Sequence, residues 1–488
     1  MHLAKLVKVL RAFDKEKLSR FQKYVHSPFF GVFPSSVELL DYFVKIYPNF
    51  TEKKVCVTAI KKAKRKLSND NTQNIAASRL IEHAQHFIAY EAWHQSEHHV
   101  THFQLAGLKG LNLEDEFEKG YEKEMKILCE DEEQSFDTLY HRHMLTEQGL
   151  NGFKSKLNRT AANTISPVIE TLDVFHALKK LRYLCESFSR NQFFGSDFDG
   201  AQIPHLMATL EPLTKAKHPY AYIFVNVFHM LTSETFEDSE LYYGLIKDYL
   251  SKPGGEIGQT KIEAVNFCLS NCLKWYNKGN TDAAREYLWC IQWKMKNGLL
   301  LHNDILQPIT FRNIITLAVE CYSPQEMARL INEYGKHIHS DHSPTEVAFA
   351  WALQHYKSGE YKKAIHQFMQ ARAKEDPGFN SGIRRWQWMC EYDCDNSDTT
   401  TLLNQLEAFE KYLHRHRKEL AYAIPTYKQF IHYCEKLVVC SATEASEIRV
   451  ELEGLEHFAA RPWLIEKFSQ KERPRGYRMA NVKKDLAM

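Results

Sequence analysis

The stretch from Val347 to Pro377, VAFAWALQHYKSGEYKKAIHQFMQARAKEDP, constrains the fold of this chain more than any other. Ala352 is small enough to let two helices approach closely, and Gly359 and Tyr361 mark a turn. Ala364, Phe368 and Ala371 then recur on one face of a second helix, which Pro377 is expected to stop. A hairpin of this kind cannot bury its apolar face alone, so it requires further hairpins stacked against it.

Length and charge agree with such an array. A chain of 488 residues exceeds what one hydrophobic core serves, so repeats or several domains are expected. Lys and Arg number 63 against 61 Asp and Glu, a net charge of +2, which argues against a dedicated nucleic-acid binder. An apolar fraction of 44%, with 29 Phe and 24 Tyr, excludes global disorder. Met1 to Phe13 carries Lys5, Lys8 and Arg11 among its apolar residues, and reads as an amphipathic helix rather than a signal peptide. No window reaches the roughly 18 uninterrupted apolar residues of a membrane span. A soluble, cytoplasmic protein is expected.

Helical periodicity runs through nearly the whole chain. Asp14 is placed to cap a helix over KEKLSRFQKYV, Pro28 breaks it, and Ser35 and Ser36 start the next. Single helices are expected over Thr51–Leu67 and Thr72–Ser96. From Tyr220 onward, helical runs follow one another in pairs. Gly279 stands before Thr281 and Ala284 as Gly359 stands before Tyr361 and Ala364. The resulting period is irregular, about 36 to 44 residues, in the manner of degenerate tetratricopeptide-like repeats. The expected fold is all-α, a tetratricopeptide-like, right-handed α-solenoid of stacked antiparallel helical hairpins with an N-terminal helical region. Residues 1–110 form that region, 111–252 the first half of the solenoid, and 259–440 the degenerate repeats. Capping helices over 441–470 and a basic flexible tail over 471–488 complete the division. The turn-rich segment Lys252–Gly258, KPGGEIG, reads as a hinge.

Motifs for chemistry are scarce. Eleven cysteines lack any CxxC pair, and Cys268 with Cys272, like Cys390 with Cys394, sit four apart, as packing residues on one helix face would. The densest metal-capable segment is EAWHQSEHHVTH. If it were one helix, Glu91, His94, His98 and His102 would form a stripe, but no second Glu-x-x-His supplies a facing set. Nucleophile elbows and phosphate loops are absent from the sequence. The chain therefore reads as non-enzymatic, with no cofactor and no metal. Lys61, Lys62, Lys64, Arg65 and Lys66 form a basic run whose ordinary role is a solvated helix face.

A repeat protein binds through the inner wall made by its first helices. In this register the wall carries Asn266, Leu269, Leu273, Tyr276 and Asn277, then Glu346, Phe349, Leu353, Tyr356 and Lys357. Leu269, Leu273, Tyr276, Phe349, Leu353, Tyr356 and Lys357 are the candidate protein-binding groove. Its apolar character favours an apolar or helical segment over a charged tail.

Several segments together resemble a family of uncharacterised tetratricopeptide-like helical proteins of Bacteroidota. They are FQKYVHSPFF at 21–30 with YPNF at 47–50, LDVFHALKKLRYLCESFSRN at 172–191 and KNGLLLHNDILQPITFRNIITLA at 296–318. HYKSGEYKKAI at 355–365, FEKYLHRHR at 409–417 and RPWLIEKF at 461–468 continue the match in the same order. Gly31 departs from the Asn that the family carries there. The resemblance implies the helical-repeat fold and transfers no activity or catalytic residue.

The leading expectation is a non-enzymatic intracellular scaffold that binds a protein partner through its repeats. Second stands a nucleic-acid-binding or regulatory protein using Lys61–Lys66 and the tail, and third a metal-dependent enzyme centred on Glu91–His102.

Overall fold

The structure is a computed structural model describing residues 2–64, 67–131, 135–150, 165–194, 203–212, 218–252, 258–373, 376–394, 398–421, 423–455, 458 and 460–472. Residues 253–257 of the expected Lys252–Gly258 hinge, the basic residues Arg65 and Lys66, and the tail after 472 lie outside the described residues. The described residues are helical almost throughout, and they contain no strand beyond two isolated bridges, His302 with Ile305 and Leu306 with Ile338. The chain divides into two units, 1–130 with 140–171 and 131–139 with 172–488.

In the first unit, α1 (His2–Arg11), α2 (Lys15–His26), α3 (Pro34–Ile46) and α6 (Asp70–His94) surround a core of Leu6, Leu10, Phe21, Leu39, Leu40, Phe43 and Leu80. Asp14 caps α2 as expected, accepting from the Lys17 amide at 2.6 Å. Helix α3 starts at Pro34, ahead of the expected serines, because proline's fixed φ suits a first helical position. Ser36 is consequently buried, with its hydroxyl donating to the Ala76 carbonyl at 3.4 Å. Of the two expected single helices, one is split and the other ends within two residues of its expected end. The run over Thr51–Leu67 splits at Cys56 into α4 (Glu52–Val55) and α5 (Val57–Ala63). The run after Thr72 ends at His94, and α7 (Glu97–Gly110) begins anew with Ser96 as its cap. Ser96 accepts from the His99 amide, the preference of a serine for a helix start over a helix interior. Helix α8 (Glu114–Glu130) and the part of α9 (Phe136–Leu150) in this unit join α7 around Leu105, Phe117, Leu128 and Leu145.

In the second unit α10 (Ile165–Phe194), from Leu172 on, and α11 (Ile203–Leu210) precede a succession of contacting helix pairs. These are α12 (Pro219–Thr232) with α13 (Phe236–Ser251), α14 (Gln259–Asn277) with α15 (Asp282–Lys296), and α16 (Pro308–Cys321) with α17 (Pro324–Tyr334). Next come α18 (Ser343–Lys357) with α19 (Tyr361–Gln370), and α20 (Pro377–Asp393) with α21 (Thr399–Arg415). Helices α22 (Ile424–Val439), α23 (Ala442–Glu453) and α24 (Arg461–Glu472) end the described chain. The glycines at the aligned turns behave alike. Gly279 and Gly359 take φ of 99° and 72°, a region that glycine enters without strain. Each closes its helix with the same bond pair, Gly279 N to Tyr276 O with Asn280 N to Trp275 O, and Gly359 N to Tyr356 O with Glu360 N to His355 O. Pro377 opens α20 instead of merely stopping α19, which has already ended at Gln370. Ala352, Ala364, Phe368 and Ala371 are all fully buried in the core that runs through these pairs.

In three places, helices two positions apart in the chain are tied by a lysine. Lys274 of α14 donates to the carbonyls of Leu231 and Ser233 at the end of α12, at 2.8 and 3.0 Å. Lys357 of α18 donates to Val319 near the end of α16 at 2.6 Å, and Lys471 of α24 to Leu437 near the end of α22 at 2.6 Å. A helix leaves its last carbonyls without intrahelical partners and carries partial negative charge there, so an ammonium from the neighbouring helix answers both.

Candidate functional site

The stripe read from the sequence as a groove divides when the helices are placed. Phe349 and Leu353 are 5% and 0% exposed and belong to the core, with the Phe349 ring 5.0 Å from Phe379 and 6.1 Å from Phe368. They are not surface residues, because the wall of α18 on which they lie faces α19 and α20. Leu269, Leu273, Tyr276 and Tyr356 are half-buried and pack against the same core. Tyr276 donates to Glu320 at 3.2 Å, and Tyr356 meets Trp386 edge to face at 5.0 Å. Burial pushes the Tyr356 hydroxyl far above the usual tyrosine range. Lys357 is the carbonyl-capping lysine described above, so its charge is committed to Val319. Glu346, on the same register, is 1% exposed and holds Arg312 through both carboxylate oxygens at 2.6 to 3.0 Å. Asp376 takes the other side of that guanidinium at 2.7 Å.

A cavity of about 210 Å³ opens beside these helices, lined by Phe236, Tyr243, Lys247, Cys272, Trp275 and Glu286 among others. At its floor Cys268 and Cys272 meet Cys290 from α15, with all three thiols buried. The sequence places the first two together on one helix face, but Cys290 arrives only through the hairpin. Hydrogen bonds from Cys268 and Cys272 hold the Cys290 thiol well down, with Tyr243 Oη 3.6 Å from its sulfur. Burial pushes Cys268 up, and the contact with Cys290 pushes Cys272 up. Tyr243 and Lys247 both donate to Glu286 Oε2, at 2.7 and 2.6 Å, so the mouth of the cavity is internally neutralised.

In the first unit the histidine segment is rearranged. The break at Gln95 and Ser96 separates Glu91 and His94 from His98 and His102. Glu91 binds Arg20 at 2.8 Å, and His94 stacks on Tyr90 at 5.8 Å. His98 Nδ1 bonds Glu124 Oε1 of α8 at 2.5 Å, and Gln148 of α9 donates to the His102 carbonyl at 3.1 Å. His141 of α9, which the sequence did not single out, closes the cluster with its ring 4.5 Å from His99 and 5.2 Å from His98. Burial, followed by repulsion from His99, His98 and His102, pushes His141 down to about 4. Among the described residues no group of three or more His, Cys, Asp or Glu is arranged to hold a metal ion.

One further cavity, of about 140 Å³, lies among α19, α20 and α21 and is lined by Arg372, Arg384, Gln387, Trp388, Gln405 and Phe409, with others. The sequence offered no sign of it, since its residues come from three helices and share no short motif. No helix among the described residues is long and apolar enough to cross a membrane. No protein-family model, curated protein or solved structure matches this chain.

Proposed function

We propose that the paired helices of the second unit are tetratricopeptide-like repeats of an α-solenoid, and that the protein is a non-enzymatic scaffold that binds a protein partner. The observation that carries this reading is the recurrence of one device at several helix ends. Lys274, Lys357 and Lys471 each cap the end of the helix two before their own, and Gly279 and Gly359 close their helices with the same bonds. Repetition of this kind stacks equivalent hairpins and presents an extended side-chain surface, which is the form in which helical repeats engage other chains. The polar clusters support a binding role in another way. His98 is answered by Glu124, Arg312 by Glu346 and Asp376, and Lys247 by Glu286, so these groups are spent on the fold.

The reading is tested by affinity purification of the tagged full-length protein from its native cells after mild crosslinking, with identification by mass spectrometry. Specific, stoichiometric recovery of one protein that also binds in purified form is expected. Recovery of nothing above the tag-only control would end the scaffold reading.

A further inference from the structure

The cavity among α19, α20 and α21 differs from every other polar cluster described above in the charge it leaves unanswered. Arg384 is half-buried, and its guanidinium stacks on the Tyr412 ring with the central carbon 4.4 Å from the centroid. No carboxylate among the described residues bonds it. Burial together with Arg372 and Arg415 makes its own charge harder to hold. Arg372 donates to Gln387 Oε1 at 3.0 Å, which fixes the amide so that Gln387 Nε2 remains available as a donor. Glu391 is the one carboxylate among the lining residues. The rest of the wall, apart from Gln405, is apolar, made by Ile365, Met369, Trp388, Ala408 and Phe409.

We propose that this cavity is a recognition site for a carboxylate-bearing residue of a peptide segment, with Arg384 as the anion-binding group and an apolar neighbour of that residue seated on the Met369–Phe409 wall. The inference rests on the partner-binding reading and names the chemistry of the partner. Charge selects the ligand, because a half-buried guanidinium that no carboxylate among the described residues bonds, with Arg372 and Arg415 nearby, is satisfied by an incoming anion. Arginine's planar fork suits carboxylate oxygens, and Tyr412 holds that fork in one plane. Size selects a peptide over a free small molecule. Sites for whole small ligands run from about 300 to 1,000 Å³, while about 140 Å³ holds one side chain or one chain terminus. The position is also distinct from the groove read in the sequence, since none of the candidate groove residues lines it.

Fluorescence anisotropy with three labelled peptides tests the site on the full-length protein. One has internal Glu-Leu pairs and an amidated C-terminus, one has Gln-Leu pairs and a free terminal leucine carboxylate, and one has Gln-Leu pairs and an amidated end. Binding of one of the first two and not of the third is expected, and which of them binds tells a side-chain carboxylate from a terminal one. Arg384→Gln should weaken that binding at least tenfold while the circular dichroism melt stays in place. Ala408→Trp, which fills the mouth from an exposed helix position, should weaken it equally, and it carries the test if the arginine variant fails to fold. Equal binding of all three peptides, no binding to the wild type at millimolar peptide, or full binding by both variants would overturn the site. A partner recovered from cells that still binds both variants would overturn the site while leaving the scaffold reading intact.

Discussion

Two arginines in neighbouring parts of the second unit, Arg312 on α16 and Arg384 on α20, meet opposite fates. Both lean on an aromatic ring, Phe379 at 3.7 Å and Tyr412 at 4.4 Å. Arg312 is closed by two carboxylates from two other helices, Glu346 of α18 and Asp376 just before α20. Arg384 has Arg372 and Arg415 nearby and a cavity in front of it. The difference separates charge used to lock helices together from charge left for something outside the chain. In the first unit, His98 with Glu124 belongs to the locking kind, and His141 is kept neutral so that the histidines around it can share one small space.

The largest effect should come from opening the closed site. Glu346→Ala leaves Arg312 partly buried with only the more exposed Asp376, and a loss of about 3–5 kcal/mol in denaturant unfolding is expected, as when one partner of a buried ion pair is removed. A loss below about 1 kcal/mol, the ordinary worth of a surface pair, would erase the contrast with Arg384.

Acid tests the first unit next. His141 titrates near 4 in the fold, below its ordinary value of 6.5. Above 6.5 neither state carries the charge. As pH falls between 6.5 and 4 the unfolded chain takes up a proton that the fold refuses, so stability declines through that window and levels below it. About 2 kcal/mol of decline is expected from this residue, since each tenfold loss of proton affinity is worth about 1.36 kcal/mol and water screens part of the effect. Urea midpoints across the window should show it, and His141→Gln should flatten the dependence. An unchanged profile in that variant would remove His141 from the account.

Smaller still is the effect of a single helix tie. Lys357→Met keeps the aliphatic stem and removes the bond to the Val319 carbonyl, for a cost of about 1 kcal/mol. A cost near zero would mean that water caps α16 as well as the lysine does. Arg384→Gln should change least, within about 0.5 kcal/mol, because no ion pair is lost and the relief of a like-charge contact offsets the lost stacking on Tyr412. A loss comparable to that of Glu346→Ala would show that Arg384 holds the fold after all.

Much of the helical layout is legible in the chain itself. Apolar residues at helical spacing, Asp14 as a cap, and the glycines at 279 and 359 each act through a few adjacent residues, so local sequence reports them directly. Where two local preferences compete, local sequence misleads. Ser96 reads as the end of a helix and is the cap of the next, and Pro377 reads as a stop and is a first-turn proline. The candidate groove divides for a related reason. Periodicity places Phe349 and Leu353 on one face of α18, but an apolar face serves a core and a groove equally well until its neighbours are known.

The sequence by itself determined the helical class, most helix positions and the pairing of successive helices, because hydrogen bonding and amphipathic spacing are settled within a few turns. Only the tertiary structure decided which charges meet. Cys290 joins Cys268 and Cys272, His141 joins His98 and His99, and Glu346 reaches Arg312, across 18 to 43 residues of chain. Electrostatic and hydrogen-bonding partners are chosen by distances of a few ångströms between helices, and helical spacing within one segment carries no record of them. For the same reason the cavity beneath Arg384 exists only where three helices converge, and no single segment contains it.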